Sequence, residues 1–190
     1  MANVSRIRGF VPAKTGLGAP WNGQLTKYYV TPGDTTAIFV GDLVSLSGES
    51  DANGVRAVTK TAIGGAAVGA VVDTEYNMVN LNSPQYRPAS TGMYVYVADD
   101  PNTVYEAEAS GTVAATTAGL NANHADAGGS TVTGKSGETV NFATASTTAT
   151  LTLKILDFIQ SPENEVDTSA KVRVKINNHQ LAGGTGTAGV

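Results

Sequence analysis

The chain contains no cysteine among its 190 residues. Disulfide scaffolds and thiolate metal sites are therefore excluded. Charge is scarce too, at 15% of residues, where an average domain has about a quarter. Aromatic residues make up only 6%, with a single tryptophan. No stretch approaches the roughly 20 apolar residues of a membrane-spanning helix. The opening MANVSRIRGFVPAK lacks the apolar core of a secretory signal. These absences lead to the expectation of synthesis in the cytoplasm, with no membrane association. Disorder is excluded from the other side, because 41% of residues are hydrophobic and charge is low. The length suits one domain with appended segments.

The charge that is present is unevenly placed. The net charge is −4. Residues 1–33 hold Arg6, Arg8, Lys14 and Lys27 and no acid, a balance of +4. The rest holds 8 basic side chains (12 − 4) and 16 acidic ones, a balance of −8. A basic arm on an acidic body suggests docking onto an acidic partner surface. Nucleic acid is not the expected partner, since the pI is about 5.1 and no dense Lys/Arg cluster occurs.

Helical periodicity is missing throughout. Short β-rich runs recur instead, at 24–30, 37–46, 55–61, 68–74, 92–98, 104–109, 149–159 and 170–176. Gly, Pro, Asn and Asp punctuate them, as in an all-β sandwich or barrel. AKVRVKIN turns Val172, Val174 and Ile176 one way and Lys171, Arg173 and Lys175 the other, as in a strand with one buried face. MYVYVADDPNTVYEAEA reads as a hairpin bent at Asp99-Asp100-Pro101-Asn102. Residues 110–148, rich in Ala, Thr and Gly, read as a long excursion with minor strands, and residues 181–190 as a Gly-rich tail. The expected fold is all-β, a single jelly-roll-like sandwich or small β-barrel. The expected organisation is an extended N-terminal arm at 1–23, a β-domain at 24–180 and the tail.

One stretch imitates a catalytic motif. Gly129 to Ser136, GSTVTGKS, fits the P-loop pattern, in which backbone N–H groups cradle phosphates and the Lys and Ser serve phosphate and Mg²⁺. That geometry needs a buried strand before the loop and a helix after it. TAGLNANHADAG supplies no such strand, and ETVNFATASTT, dominated by Thr and Ala, is a poor helix. The stretch therefore reads as a turn. His124 with Asp126 offers two metal ligands at best, and His179 stands apart. No Gly-x-Ser-x-Gly elbow occurs. Asp99 and Asp100 read as turn residues, and Glu106 and Glu108 as a solvated strand face. No catalytic residue, cofactor or metal is expected.

Residues 1–23 carry the remaining signal. They combine Arg6, Arg8 and Lys14 with the apolar Val4, Ile7, Phe10, Val11 and Trp21. So few residues cannot fold alone, so the arm is expected to order on a partner. The candidate contacts are Arg6, Ile7, Arg8, Phe10, Lys14 and Trp21.

GDLVSLSG (41–48), AAVGAVVDTEYN (66–77), YVYVADDPNTVYEAEA (94–109), AGLNAN (118–123), LTLKILDFIQSPENEV (151–166) and AKVRVKINNHQ (170–180) together resemble head structural proteins of tailed bacteriophages. The resemblance is to the decoration or cement type and spans about residues 36–180. It implies a non-enzymatic virion protein on the outer capsid surface, bridging neighbouring major capsid subunits as a dimer or trimer. A tail or baseplate component and a carbohydrate-binding surface module are the alternatives, the latter disfavoured by the lone tryptophan.

Overall fold

The structure is a computed structural model that describes residues 3–16, 18–80, 82–182 and 186–189. Its architecture is all-β, as the residue pattern predicts, with a 3-10 turn at Ala115–Thr117 as the one helical element among the described residues. No helix among them is long and apolar enough to cross a membrane.

Ten of the eleven strands among the described residues build two rings. The first ring contains β2 (Thr26–Val30), β3 (Leu43–Ser50), β4 (Arg56–Lys60), β5 (Gly69–Thr74) and β6 (Met93–Ala98). They close in the order β2-β4-β3-β5-β6. The second contains β7 (Thr103–Ser110), β8 (Asn121–Ala125), β9 (Thr139–Ser146), β10 (Leu153–Phe158) and β11 (Lys171–Ile176). Their order is β7-β11-β10-β8-β9, and a β7–β9 pairing joins the two ends. Strand β1 (Val11–Thr15) is added antiparallel along the outer edge of β7.

The two rings share one topology. In each, the first strand pairs with the fifth, the fifth with the fourth, the fourth with the second and the second with the third, all antiparallel. The third then returns parallel to the first, through Tyr29 opposite Ala57 and through Ala109 opposite Val140. The detail matches as well. In β5, Val71 and Asp73 face Val97 and Tyr96, so Val72 is the extra residue of a bulge. In β10, Ile155 and Asp157 face Val174 and Arg173, so Leu156 plays that part. A left-handed glycine precedes the second strand of each ring, Gly41 at φ +101° and Gly119 at φ +91°. Each of these glycines donates to its bulge strand, Gly41 N to Val71 O at 2.7 Å and Gly119 N to Ile155 O at 2.9 Å. The chain is thus a tandem structural duplication, with GDLV (41–44) matching GLNA (119–122) and AVVD (70–73) matching KILD (154–157).

Two cores fill this frame. The first ring encloses Tyr28, Val30, Val44, Val58, Val71, Val95 and Val97. The second core gathers the inward faces of β7 to β11 and extends to Leu43, Ala67, Ala70 and Ala98, so the junction between the rings is itself packed apolar surface. Arg87 is fully buried beside the first ring. Its guanidinium donates to the carbonyls of Thr31, Asp34, Thr36 and Thr91 and so ties the 75–92 connection down.

Three expectations change. Strands β6 and β7 do not pair with each other; Asp99-Asp100-Pro101-Asn102 is the crossover from one ring to the other. Its turn chemistry stands, with Asp100 accepting from Asn102 N at 2.8 Å, but a turn signal cannot say which sheet the next strand joins. Residues 110–148 are not an excursion, since they supply β8 and β9, two of the five strands of the second ring. The described part of the tail, 186–189, is pinned to that ring by Thr187 N to Asn177 Oδ1 and by Lys154 Nζ to Ala188 O, each 2.9 Å. Residues 183–185 and 190 lie outside the described residues.

Candidate functional site

The arm lies on its own body. Asn3 bridges Glu165 and Thr168 through its amide. Arg6 donates its backbone N–H to Glu108 Oε2 at 2.7 Å, and Arg8 pairs with Glu106 Oε2 at 3.3 Å. The outer face of β7, expected to be solvated, is therefore the acidic surface that receives the basic arm. Gly9, at φ +62°, lets the backbone touch Gly41, where a Cβ would come within 2.5 Å of the Gly41 carbonyl oxygen. Phe10 then enters the core at 1% exposure, and β1 continues the sheet.

This docking sorts the six candidate contacts. Phe10 is a core residue and cannot serve as a surface contact in this state. Arg8 is engaged with Glu106. Lys14 is half-buried opposite Val104 in the β1–β7 register. Trp21 is half-buried, packs on the second core and lines an open depression of about 370 Å³ with Asn22, Gln24, Asp99 and Asp100. Arg6 and Ile7 remain outward, Ile7 at 59% exposure with Val4 beside it at 64%. The Arg6 guanidinium has no carboxylate partner among the described residues. The structure thus presents a short basic and apolar strip, Val4–Arg6–Ile7, held at fixed register by β1 and β7.

TAGLNANHADAG does supply a strand before the P-loop-like stretch, β8, contrary to expectation, because polar Asn121 and His124 take buried positions in it. What phosphate binding still lacks is the helix after the loop. The stretch connects β8 to β9, so no helix N-terminus follows it. Gly129 and Ser136 bridge each other, and Lys135 lies against Val40 of the first ring. Gly129 is needed for packing, because a Cβ there would fall inside the Phe39 ring. The segment fastens one ring to the other.

Behind it lies a buried ionic cluster that the residue pattern gave no reason to expect. Lys60 on β4 reaches across the junction, with Nζ 2.9 Å from Asp126 Oδ1, 3.4 Å from Asp42 Oδ2 and 3.6 Å from Glu138 Oε1. The Asp42 and Glu138 carboxylates are fully buried. Each has one anchored oxygen, Asp42 Oδ2 accepting from Phe39 N at 2.8 Å and Glu138 Oε2 from Leu43 N at 3.0 Å. The other oxygen of each has no hydrogen-bond partner. Burial pushes the Glu138 carboxyl well above the usual carboxylate range, and the nearby Asp42 charge adds to it. Burial raises Asp42 as well, against the pull of Lys60. Burial opposes the Lys60 charge, but Asp42 and Asp126 outweigh it and hold the ammonium charged. Of the two fully buried carboxyls, Glu138 is the one pushed well toward its neutral form, by burial and by the Asp42 charge.

That arrangement fixes a pH dependence. A carboxyl whose folded pKa is raised adds stability below its unfolded value, near 4.3, and loses it as pH rises through the folded value. Glu138→Gln removes the loss while leaving an acceptor for Leu43 N. The variant is expected to match the parent at pH 4 and to exceed it by on the order of 1–2 kcal/mol at pH 8. For a chain of this size that is roughly 2–8 °C in melting temperature. Thermal melts at the two pH values check it; an offset that does not grow with pH contradicts the assignment.

Among the described residues neither histidine joins a group of metal-ligating side chains. His124 is buried, its Nε2–H facing Thr61 O at 3.3 Å, and burial lowers its pKa, which keeps the ring neutral. His179 accepts from Leu181 N through Nδ1 at 3.1 Å. No group of three metal-ligating side chains occurs among the described residues. Asp99 accepts from Thr26 Oγ1 at 2.9 Å and from the Tyr28 hydroxyl at 2.8 Å. No protein-family model, no curated protein and no solved structure matches this chain.

Proposed function

We propose that this is a non-enzymatic virion structural protein of the decoration or cement type, which binds the outer surface of a tailed-phage capsid and bridges neighbouring major capsid subunits. The resemblance along residues 36–180 motivates the reading. The observation that supports it is the outward Val4–Arg6–Ile7 strip. It needs no cofactor, pairs exposed apolar anchors with an unpaired cation, and is already ordered on β7. A pre-ordered strip avoids most of the roughly 1–2 kcal/mol per residue that ordering a free arm costs. Repetition over a symmetric shell then multiplies a modest affinity per copy.

The test reverses the strip without touching the core. Deleting residues 2–21 is unsuitable, because it removes Phe10 and β1 from the fold. Arg6→Glu with Ile7→Asp changes only exposed side chains. Offered to undecorated capsids of the phage that encodes the chain, this variant is expected to lose at least about tenfold in affinity. The parent's binding is expected to weaken with salt. Undiminished occupancy by the variant contradicts the arm-mediated reading.

A further inference from the structure

The duplication exposes an unfilled position. The first strand of each ring closes the ring with its C-terminal end only, β7 through Ala109 and Ser110 and β2 through Tyr29. The N-terminal half of each runs on with one edge outside the ring. On β7 that edge, Thr103 to Glu106, is covered by β1. Matching β2 to β7 through their partners on the fifth strands places Thr26 at Tyr105 and Lys27 at Glu106. The corresponding edge on β2 is therefore residues 24–27. Among the described residues no strand covers it. Gln24 and Leu25 lie in no strand, and β2 meets β4 only at Tyr29.

From this geometry we infer that the β2 edge at residues 24–27 pairs, antiparallel, with the same edge of a second copy of the chain. Open sheet edges accept strands through main-chain hydrogen bonds, with side-chain surroundings supplying selectivity. The surroundings here are self-complementary. Asp100 stands at the Gln24 end, on the depression that holds Trp21, and no cation pairs with it among the described residues. Arg56 stands at the other end, its guanidinium 5.0 Å over the Tyr28 ring, and no carboxylate pairs with it among the described residues. An antiparallel two-fold pairing brings Arg56 of each copy to Asp100 of the other. Leu25, 38% exposed, lies between these charges at the middle of the edge with Trp21 near it. An apolar centre with a charged rim is the usual build of an isologous contact. Lys27, which would otherwise guard the edge, is folded away over the Tyr94 ring at 3.7 Å and held by Glu75 at 3.4 Å.

The inference is independent of the capsid reading and is tested on the purified full chain. Because the chain has no cysteine, a disulfide dimer can arise only from an introduced thiol. Under mild oxidation, Leu25→Cys is expected to cross-link at least about tenfold faster than Ile63→Cys, a control at an exposed position (62%) that lines no depression with Leu25. Sedimentation is expected to show a dimer that Arg56→Asp or Asp100→Arg weakens at least about tenfold and that the double exchange restores. A chain that sediments as a monomer at every concentration, with the edge thiol no faster than the control, overturns the inference. So does a dimer that is indifferent to Arg56 and Asp100.

Discussion

Replacing Lys60 with Met is expected to cost about 3–5 kcal/mol, because it leaves the fully buried Asp42 carboxylate, with the buried Glu138 carboxyl beside it, without its cation. For a chain of 190 residues that is a fall of roughly 6–20 °C in melting temperature. Part of the loss comes from Glu138 Oε1, which has no hydrogen-bond partner and faces the ammonium at 3.6 Å. The remedy follows from the same physics. Adding Asp42→Asn and Glu138→Gln in the Lys60→Met background removes the stranded charge and is expected to restore most of the stability. Removing both sides of a buried ionic group is often neutral, whereas removing one side is not. Melting curves at pH 7 for the single and triple variants check both halves. A Lys60→Met protein that melts within about 2 °C of the parent contradicts the view that this cluster locks the two rings together.

Val174→Asp is expected to be about as damaging, for a different reason. Val174 is fully buried in β11, opposite Tyr105 on β7 and Ile155 on β10. Val174 packs within a cluster of buried apolar side chains, so an aspartate there must either bury a charge or hold its proton. A cost of about 3–5 kcal/mol is a large share of the roughly 5–15 kcal/mol that stabilises a domain. Lys175→Asp, one residue along and on the outer face, is the control and is expected to change stability by less than about 1 kcal/mol. Denaturant midpoints distinguish them. Equal midpoints for Val174→Asp and the parent mean that the inward face of β11 is wrongly assigned.

The alternation of β11 was legible because its inward residues are all β-branched and its outward ones all basic. Strands β5, β6 and β10 were legible on similar grounds. Strand β8, NANHA, was not. Its inward Asn121 donates through Nδ2 to the carbonyls of Thr148 and Thr187, and its His124 through Nε2 to Thr61 O, so polar residues fill core positions that an apolar pattern cannot reveal. Between the matched segments 41–44 and 119–122, and 70–73 and 154–157, only a glycine and an aspartate coincide. The duplication therefore left almost no trace in composition, although backbone register preserves it. The basic character of the arm was legible, but the acids of its own body that hold it were not, because Glu106 and Glu108 reach it only through the β7 fold. Phe10 looked like an anchor for another molecule and is an anchor for this one. The Asp42–Lys60–Asp126–Glu138 cluster joins residues up to 96 positions apart (138 − 42) and had no local pattern to betray it.

If the proposed reading holds, a phage encodes this chain, and a cryo-electron microscopy map of that phage's particle tests the proposal most directly. The account predicts density for the double ring on the outside of the head, with the Val4–Arg6–Ile7 strip turned toward the major capsid protein. Density for the chain on the tail or baseplate alone, with none on the head, contradicts it.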